Sequence, residues 1–141
     1  MQIEDYDNVY ALWLSCAGMG LNNIDDSKAG IDRFLIRNPN TCFVAELNGM
    51  IVGAIIVGND GRRGYIYHTA VHSQYRNQGI ARGLVDNAIK ALKECGISKV
   101  ALVVFDRNEA GNAFWESFGF SVREDLVYRN KSLVEIVRID T

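Results

Sequence analysis

The pair Asn48-Gly49, set between the runs Cys42 to Leu47 and Met50 to Val57, constrains this chain more than any other feature. Asn-Gly accepts the left-handed backbone of a tight two-residue turn, so the flanking runs are predicted to pair as an antiparallel hairpin. A second turn signal, Asn59-Asp60-Gly61, leads into Tyr65 to Val71, predicted as a third strand antiparallel to the second. A three-stranded meander follows. The period then changes to that of a helix over Ile80 to Cys95, with Ile80, Leu84, Ala88 and Leu92 on one stripe and Gly96 placed to end it. Val100 to Phe105 is a continuous apolar run of strand length, as expected of a strand covered on both faces. Strand, helix and strand in succession require a crossover, so the meander continues into an α/β unit.

The flanks complete the pattern. Tyr6, Val9, Tyr10, Trp13 and Leu14 recur at helical spacing within Glu4 to Ala17, and a second helix is predicted from about Ser27 to Arg37, with Asp26 or Ser27 as N-cap and Pro39 as stop. Glu109 to Phe118 forms a further helix ended by Gly119, and two last strands, Phe120 to Tyr128 and Leu133 to Ile139, are expected around a turn near Asn130. The fold class is therefore α/β (α+β), a mixed and mostly antiparallel sheet flanked by helices. No repeat, low-complexity linker or second proline marks a boundary, so residues 1–141 read as a single domain.

Charge and cysteine usage exclude several classes. The net charge is −2 and no basic stretch is long enough to track a phosphate backbone, so nucleic acid is not expected as a partner. Cys16, Cys42 and Cys95 are odd in number and far apart, which fits a reducing cytoplasm better than a disulfide framework. Acidic residues follow Met1 where a signal peptide carries bases, and no 18-residue apolar run occurs, so no membrane role is expected.

The junction Val71-His72-Ser73-Gln74-Tyr75-Arg76-Asn77-Gln78-Gly79-Ile80-Ala81 carries the chemistry. A strand end, a glycine loop and a helix start aim unpaired backbone N–H groups outward at the positive end of a helix dipole, a ready site for phosphate. Arg76, Gly79 and Ala81 match the Arg/Gln-x-x-Gly-x-Gly/Ala signature of the GNAT superfamily of N-acetyltransferases, and Asn108, Ala113, Phe114, Glu116, Phe118, Gly119 and Phe120 match its second motif. Over nearly its whole length the sequence resembles that family, most closely small bacterial members, including the type that modifies a ribosomal-protein N-terminus.

The resemblance implies acetyl-coenzyme A as cosubstrate. Its pyrophosphate would rest on the amides of Arg76, Asn77, Gln78, Gly79, Ile80, Ala81 and Arg82. Its pantetheine would occupy a wedge between the strands carrying Val71 and Val103, with the thioester near Val71. A backbone N–H there would stabilise charge developing on the acyl oxygen, a contribution of about 3–4 kcal/mol. Asn108 either caps the last helix or contacts the pantetheine, and one Asn can do both. The family's opening strand is expected to be missing or short, because the chain starts almost at its first helix. The resemblance also allows a homodimer.

Two positions depart from the family. Its acidic Tyr is Trp115 here, whose indole N–H donates but does not titrate near neutral pH, so Trp115 either orients the sulfur or packs. The Glu base of N-terminal acetyltransferases falls at Val103. Candidates for proton handling are then Tyr67, His68 and His72 on the third strand, where strict alternation places Tyr65, Tyr67, Thr69 and Val71 on one face and the histidines on the other. Four residues along a strand span roughly 13 Å, too far for the two histidines to share a zinc ion, and no metal is expected. Asp25 and Asp26 are available to attract a cationic amine or to cap the second helix. The reaction implied is acetyl transfer to a primary amine of a small molecule or peptide by direct attack on the thioester. The alternative is a module of the same fold that binds coenzyme A without turnover.

Overall fold

The computed structural model describes residues 1–139. A short 3₁₀ turn over Ile3–Asp5 leads into α1 (Tyr6–Leu14), then β1 (Leu21–Asn22), α2 (Lys28–Arg37), β2 (Phe43–Leu47), β3 (Met50–Asn59) and β4 (Gly64–Val71). After a 3₁₀ turn at Ser73–Tyr75 come α3 (Ile80–Glu94), β5 (Val100–Ala101), α4 (Glu109–Ser117) and β6 (Arg138–Ile139). No strand precedes Glu4 among the described residues. No helix is long and apolar enough to cross a membrane among them.

The main sheet has the order β2-β3-β4-β5, antiparallel except for β4 with β5, which run parallel. Its hairpin turns at Asn48 and Gly49, with φ of 50° and 77°, the left-handed conformation that Asn and Gly tolerate best. One face packs on α1 and α2 through Val9, Trp13, Ile31, Leu35, Ala54, Ile56 and Ala70; the other packs on α3 through Ile55, Val57, Ile66, Val71, Leu84, Val85, Ala88 and Leu92. From Ala54 to Val57, β3 alternates between these faces, Ala54 and Ile56 on the first and Ile55 and Val57 on the second. β4 does not: Ile66 and Val71, an odd number of residues apart, share the α3 face. The cause is a bulge. Ile55 pairs with Thr69 and Val57 with Ile66, so β4 carries one residue more than β3 between these points, at Tyr67 and His68. The alternation expected from sequence is thereby corrected: Tyr67 packs edge-on against Phe34 of α2 and His68 against Trp13 of α1, so the two neighbours share the α1–α2 side.

Two other expectations are revised. The run Val100 to Phe105 pairs with β4 only at Gly64↔Val100 and Tyr65↔Ala101, then diverges, leaving Ala101 and Val103 exposed rather than covered on both faces. Of the two closing strands only Arg138–Ile139 forms, paired with Leu21–Asn22 as a separate two-stranded sheet. The first does not form: the chain turns there, with the Leu126 N–H reaching the Arg123 carbonyl and the exposed Arg123 side chain held to Asp125 by two 2.7 Å hydrogen bonds.

Candidate active site

The divergence of β4 from the Leu102 to Phe105 run opens a cleft of about 550 Å³. Its walls include Cys16 and Met19 after α1, Tyr67 to Val71 of β4, Arg76 to Asn77 and Gly79 to Arg82 at the start of α3, Val103 to Phe105, and Asn108, Phe114 and Trp115 of α4. Of the residues singled out from sequence, Tyr67, His68, Val71, Arg76, Asn77, Gly79 to Arg82, Val103, Asn108 and Trp115 line this one space, whereas Gln78, His72, Asp25 and Asp26 do not.

β4 presents its backbone to the cleft. The His72 N–H donates to the Val52 carbonyl, and in an antiparallel ladder bonded and non-bonded pairs alternate, so the N–H and C=O of Val71 and Thr69 turn away from β3 toward the gap. Their surroundings agree: the Val71 carbonyl accepts from Arg76 Nε at 3.1 Å and from Cys16 Sγ at 3.8 Å. Arg76 is thus folded back over the strand end, its guanidinium also reaching Cys16 Sγ. The Thr69 hydroxyl is buried without a partner among the described residues.

Between this strand and α3, Asn77 and Gly79 both take left-handed backbone, φ 61° and 80°, and the first turn of α3 leaves its N–H groups unpaired inside the helix. A Cβ built at Gly79 would meet nothing within 4 Å. An open concavity lined by successive amides at a helix start suits a phosphate group, so the residues present fit the pyrophosphate cradle inferred from sequence.

At the opposite wall, Asn108 caps α4, its Oδ1 accepting the Gly111 N–H at 3.0 Å, while Asn112 Nδ2 ties back to the Asn108 and Phe105 carbonyls. Trp115 packs edge-on between Phe114 and Phe120 with one side to the cleft, a packing arrangement that needs no titration. Tyr67 is half-exposed; burial pushes its phenol above the ordinary value, and Asp25 and Tyr128 nearby add to the shift, so it holds its proton at neutral pH. His72 lies past the strand end, its Nδ1 accepting the Gln74 N–H, and does not line the cleft.

His68 lines it, with Nε2 lying 2.6 Å from Asp26 Oδ1. Asp26 does not cap α2: Ser27 does, its hydroxyl accepting the Gly30 N–H. No sequence signal joins two residues 42 apart, and the contact emerges only because the bulge turns His68 to the α1–α2 side.

The comparisons with known proteins agree with this geometry. The acetyltransferase (GNAT) family model matches residues 6–120. The chain belongs to the GNAT family and is an acetyltransferase. An acetyltransferase of Sodalis glossinidius is 33% identical over 132 residues, covering 94% of this chain and 92% of that protein. Among solved structures, a ribosomal-protein-alanine N-acetyltransferase from Brucella melitensis superposes with a TM-score of 0.69 at 22% identity, covering 94% of this chain and 95% of that one. The PaiA N-acetyltransferase of Thermoplasma acidophilum, solved in complex with coenzyme A, superposes at 0.73 with 19% identity over 88% of each chain.

Proposed function

We propose that this GNAT acetyltransferase transfers the acetyl group of acetyl-coenzyme A to a primary amine by direct attack on the thioester. The observation that carries the reading is the cleft itself, which joins an amide-lined cradle at Asn77 to Arg82 to a strand, β4, that turns the Val71 N–H toward the gap. Acetyl-coenzyme A supplies the activated acyl group. The cradle would take its pyrophosphate, with Asn108, Phe114 and Trp115 beside the pantetheine. Val71 N–H is the donor this chain offers to the acyl oxygen.

The amine must arrive deprotonated, and with a pKa near 10.4 only about one aliphatic amine in two thousand is so at pH 7. His68 takes that proton. The amine nitrogen would then bond the carbonyl carbon and the C–S bond break, and the further proton that the nitrogen sheds to become an amide would pass, through Tyr67 or water, to the departing coenzyme A thiolate. Holding donor and amine in attack geometry is itself worth about 7–11 kcal/mol, so Trp115 and Val103 in place of the family's acid and base do not preclude turnover.

Calorimetric titration with acetyl-coenzyme A, followed by thiol release against polyamines, amino acids, aminoglycosides and short peptides, tests this. Saturable binding with turnover of at least one amine is expected. Absence of binding overturns the cofactor site. Binding with no turnover across the panel favours the coenzyme A-binding module instead.

A further inference from the structure

Apart from the cradle, the most constrained polar contact at the cleft joins Asp26 to His68. Asp26 is only 4% exposed. Its Oδ1 faces His68 Nε2 at 2.6 Å, its Oδ2 accepts the Asn22 N–H at 2.7 Å, and its backbone carbonyl accepts the Tyr6 hydroxyl at 2.9 Å. The connection carrying it is fixed as well, with Asn22 Oδ1 accepting the N–H groups of Ile24 and Asp25. On its other side the imidazole meets the Trp13 ring at 5.0 Å between centroids. Carboxylate and ring are therefore held in one relative orientation.

That orientation fixes a proton. An ionised carboxylate only accepts hydrogen bonds, so the imidazole nitrogen facing Asp26 must carry the hydrogen. In neutral His68 the hydrogen is then on Nε2 and the lone pair on Nδ1, which no described residue hydrogen-bonds. A buried carboxylate with filled hydrogen bonds serves stability anywhere in a fold; this one is aimed at a ring that lines the reaction cleft. The titratable or charged groups on the elements packed around the ring are Tyr6, Asp7, Tyr10 and Cys16 from the α1 side, Asp7 being exposed and paired with Lys28, Asp25 and Asp26 from the connection, Tyr67 on β4, and Arg76 beyond Cys16. Asp26 alone among them touches it.

We propose that Asp26 is a positioning residue that locks His68 in the Nε2–H tautomer, so that Nδ1 receives the proton leaving the acceptor amine. The proposal rests on the acetyl-transfer reading above. The ammonium N–H bond breaks, its electron pair stays on the nitrogen that attacks, and the proton forms an imidazolium whose charge faces the Asp26 carboxylate. Solvent then removes that proton and restores the tautomer.

The chain has two histidines, so long-range ¹H–¹⁵N correlation on histidine-labelled full-length protein, with His72→Gln for assignment, reads the tautomer directly. Wild type is expected to show His68 as the Nε2–H form, and Asp26→Asn, whose amide can donate to Nε2, a mixed or Nδ1–H form. With the fastest amine of the panel, Asp26→Asn is expected to lower kcat about 10- to 100-fold while the KM for acetyl-coenzyme A stays within about twofold. Asp26→Glu should restore part of kcat, and the double variant Asp26→Asn with His68→Gln should be no slower than His68→Gln alone. An Nδ1–H tautomer in wild type overturns the proposal, as does an additive loss in the double variant or an undiminished kcat in His68→Gln. The wild-type spectrum needs no substitution, so misfolding of Asp26→Asn leaves the test standing. If no amine turns over, the transfer reading fails on its own while the spectrum still decides the tautomer.

Discussion

Gly79 shows what one residue contributes. Its φ of 80° lies in the left-handed region, where a side chain adds about 1–2 kcal/mol of strain, and its missing Cβ leaves the amide cradle open. Gly79→Glu would add a carboxylate where the pyrophosphate is to sit. Its affinity for acetyl-coenzyme A is expected to fall at least about 100-fold, roughly 2.7 kcal/mol, while Gly79→Ala, which keeps the charge, loses less than about tenfold. Equal affinities of Gly79→Glu and wild type by calorimetry would remove the cradle from the binding site. The turn at Gly79, the start of α3 and the cap at Asn108 were legible in the sequence because they are local, written within a few consecutive residues. The partner of His68 was not, since Asp26 and Ser27 are equally good caps on paper and only the folded chain assigns the cap to Ser27 and the carboxylate to the imidazole.

At the scale of elements, the cleft depends on two departures from regular strand geometry. The extra residue in β4 moves His68 beside Trp13, and the short pairing of β5 lets the chain splay after Ala101. Periodicity located both strands and α3 but is blind to a bulge, because alternation reads the same on either side of it. The loop that carries Asp26 is held by a close backbone approach. A Cβ at Gly30 would collide with the backbone carbonyls of Ile24 and Asp25. Gly30→Ala should therefore push that loop from α2 and destabilise the fold by about 1–3 kcal/mol, even though alanine is the better helix former. Denaturant unfolding would show it. A stabilised Gly30→Ala would mean that the loop moves aside without cost and that Asp26 is less firmly placed than its contacts indicate.

Taken as a whole, the molecule is unevenly consolidated along its length. The buried hydrophobic side chains all lie between Tyr6 and Ile97, around β3, β4, α1 and α3, whereas Val122, Leu126, Val127, Tyr128, Leu133, Val134, Ile136 and Val137 are exposed among the described residues. Composition predicts two strands there because Leu126 to Tyr128 and Leu133 to Val137 are rich in β-prone residues. Strand propensity cannot say which edge is available, and among the described residues none pairs with that edge of β4 beyond Tyr65↔Ala101. Amide exchange separates the two parts. Opening free energies follow the buried contacts and ladder hydrogen bonds that must be broken. Amides of Val52 to Val57, Ile66 and Leu84 to Leu92 are thus expected to exchange near the global unfolding rate, and those from Ser121 to Ile136 within the first time points. The exceptions toward the C-terminus are the amides tied to the opposite end of the chain, such as Val137 N–H on Asn23 Oδ1. Protection of the Val122 to Tyr128 amides comparable to β3 would show instead that this stretch pairs beside the Leu102 to Phe105 run and extends the sheet past the edge that β5 leaves.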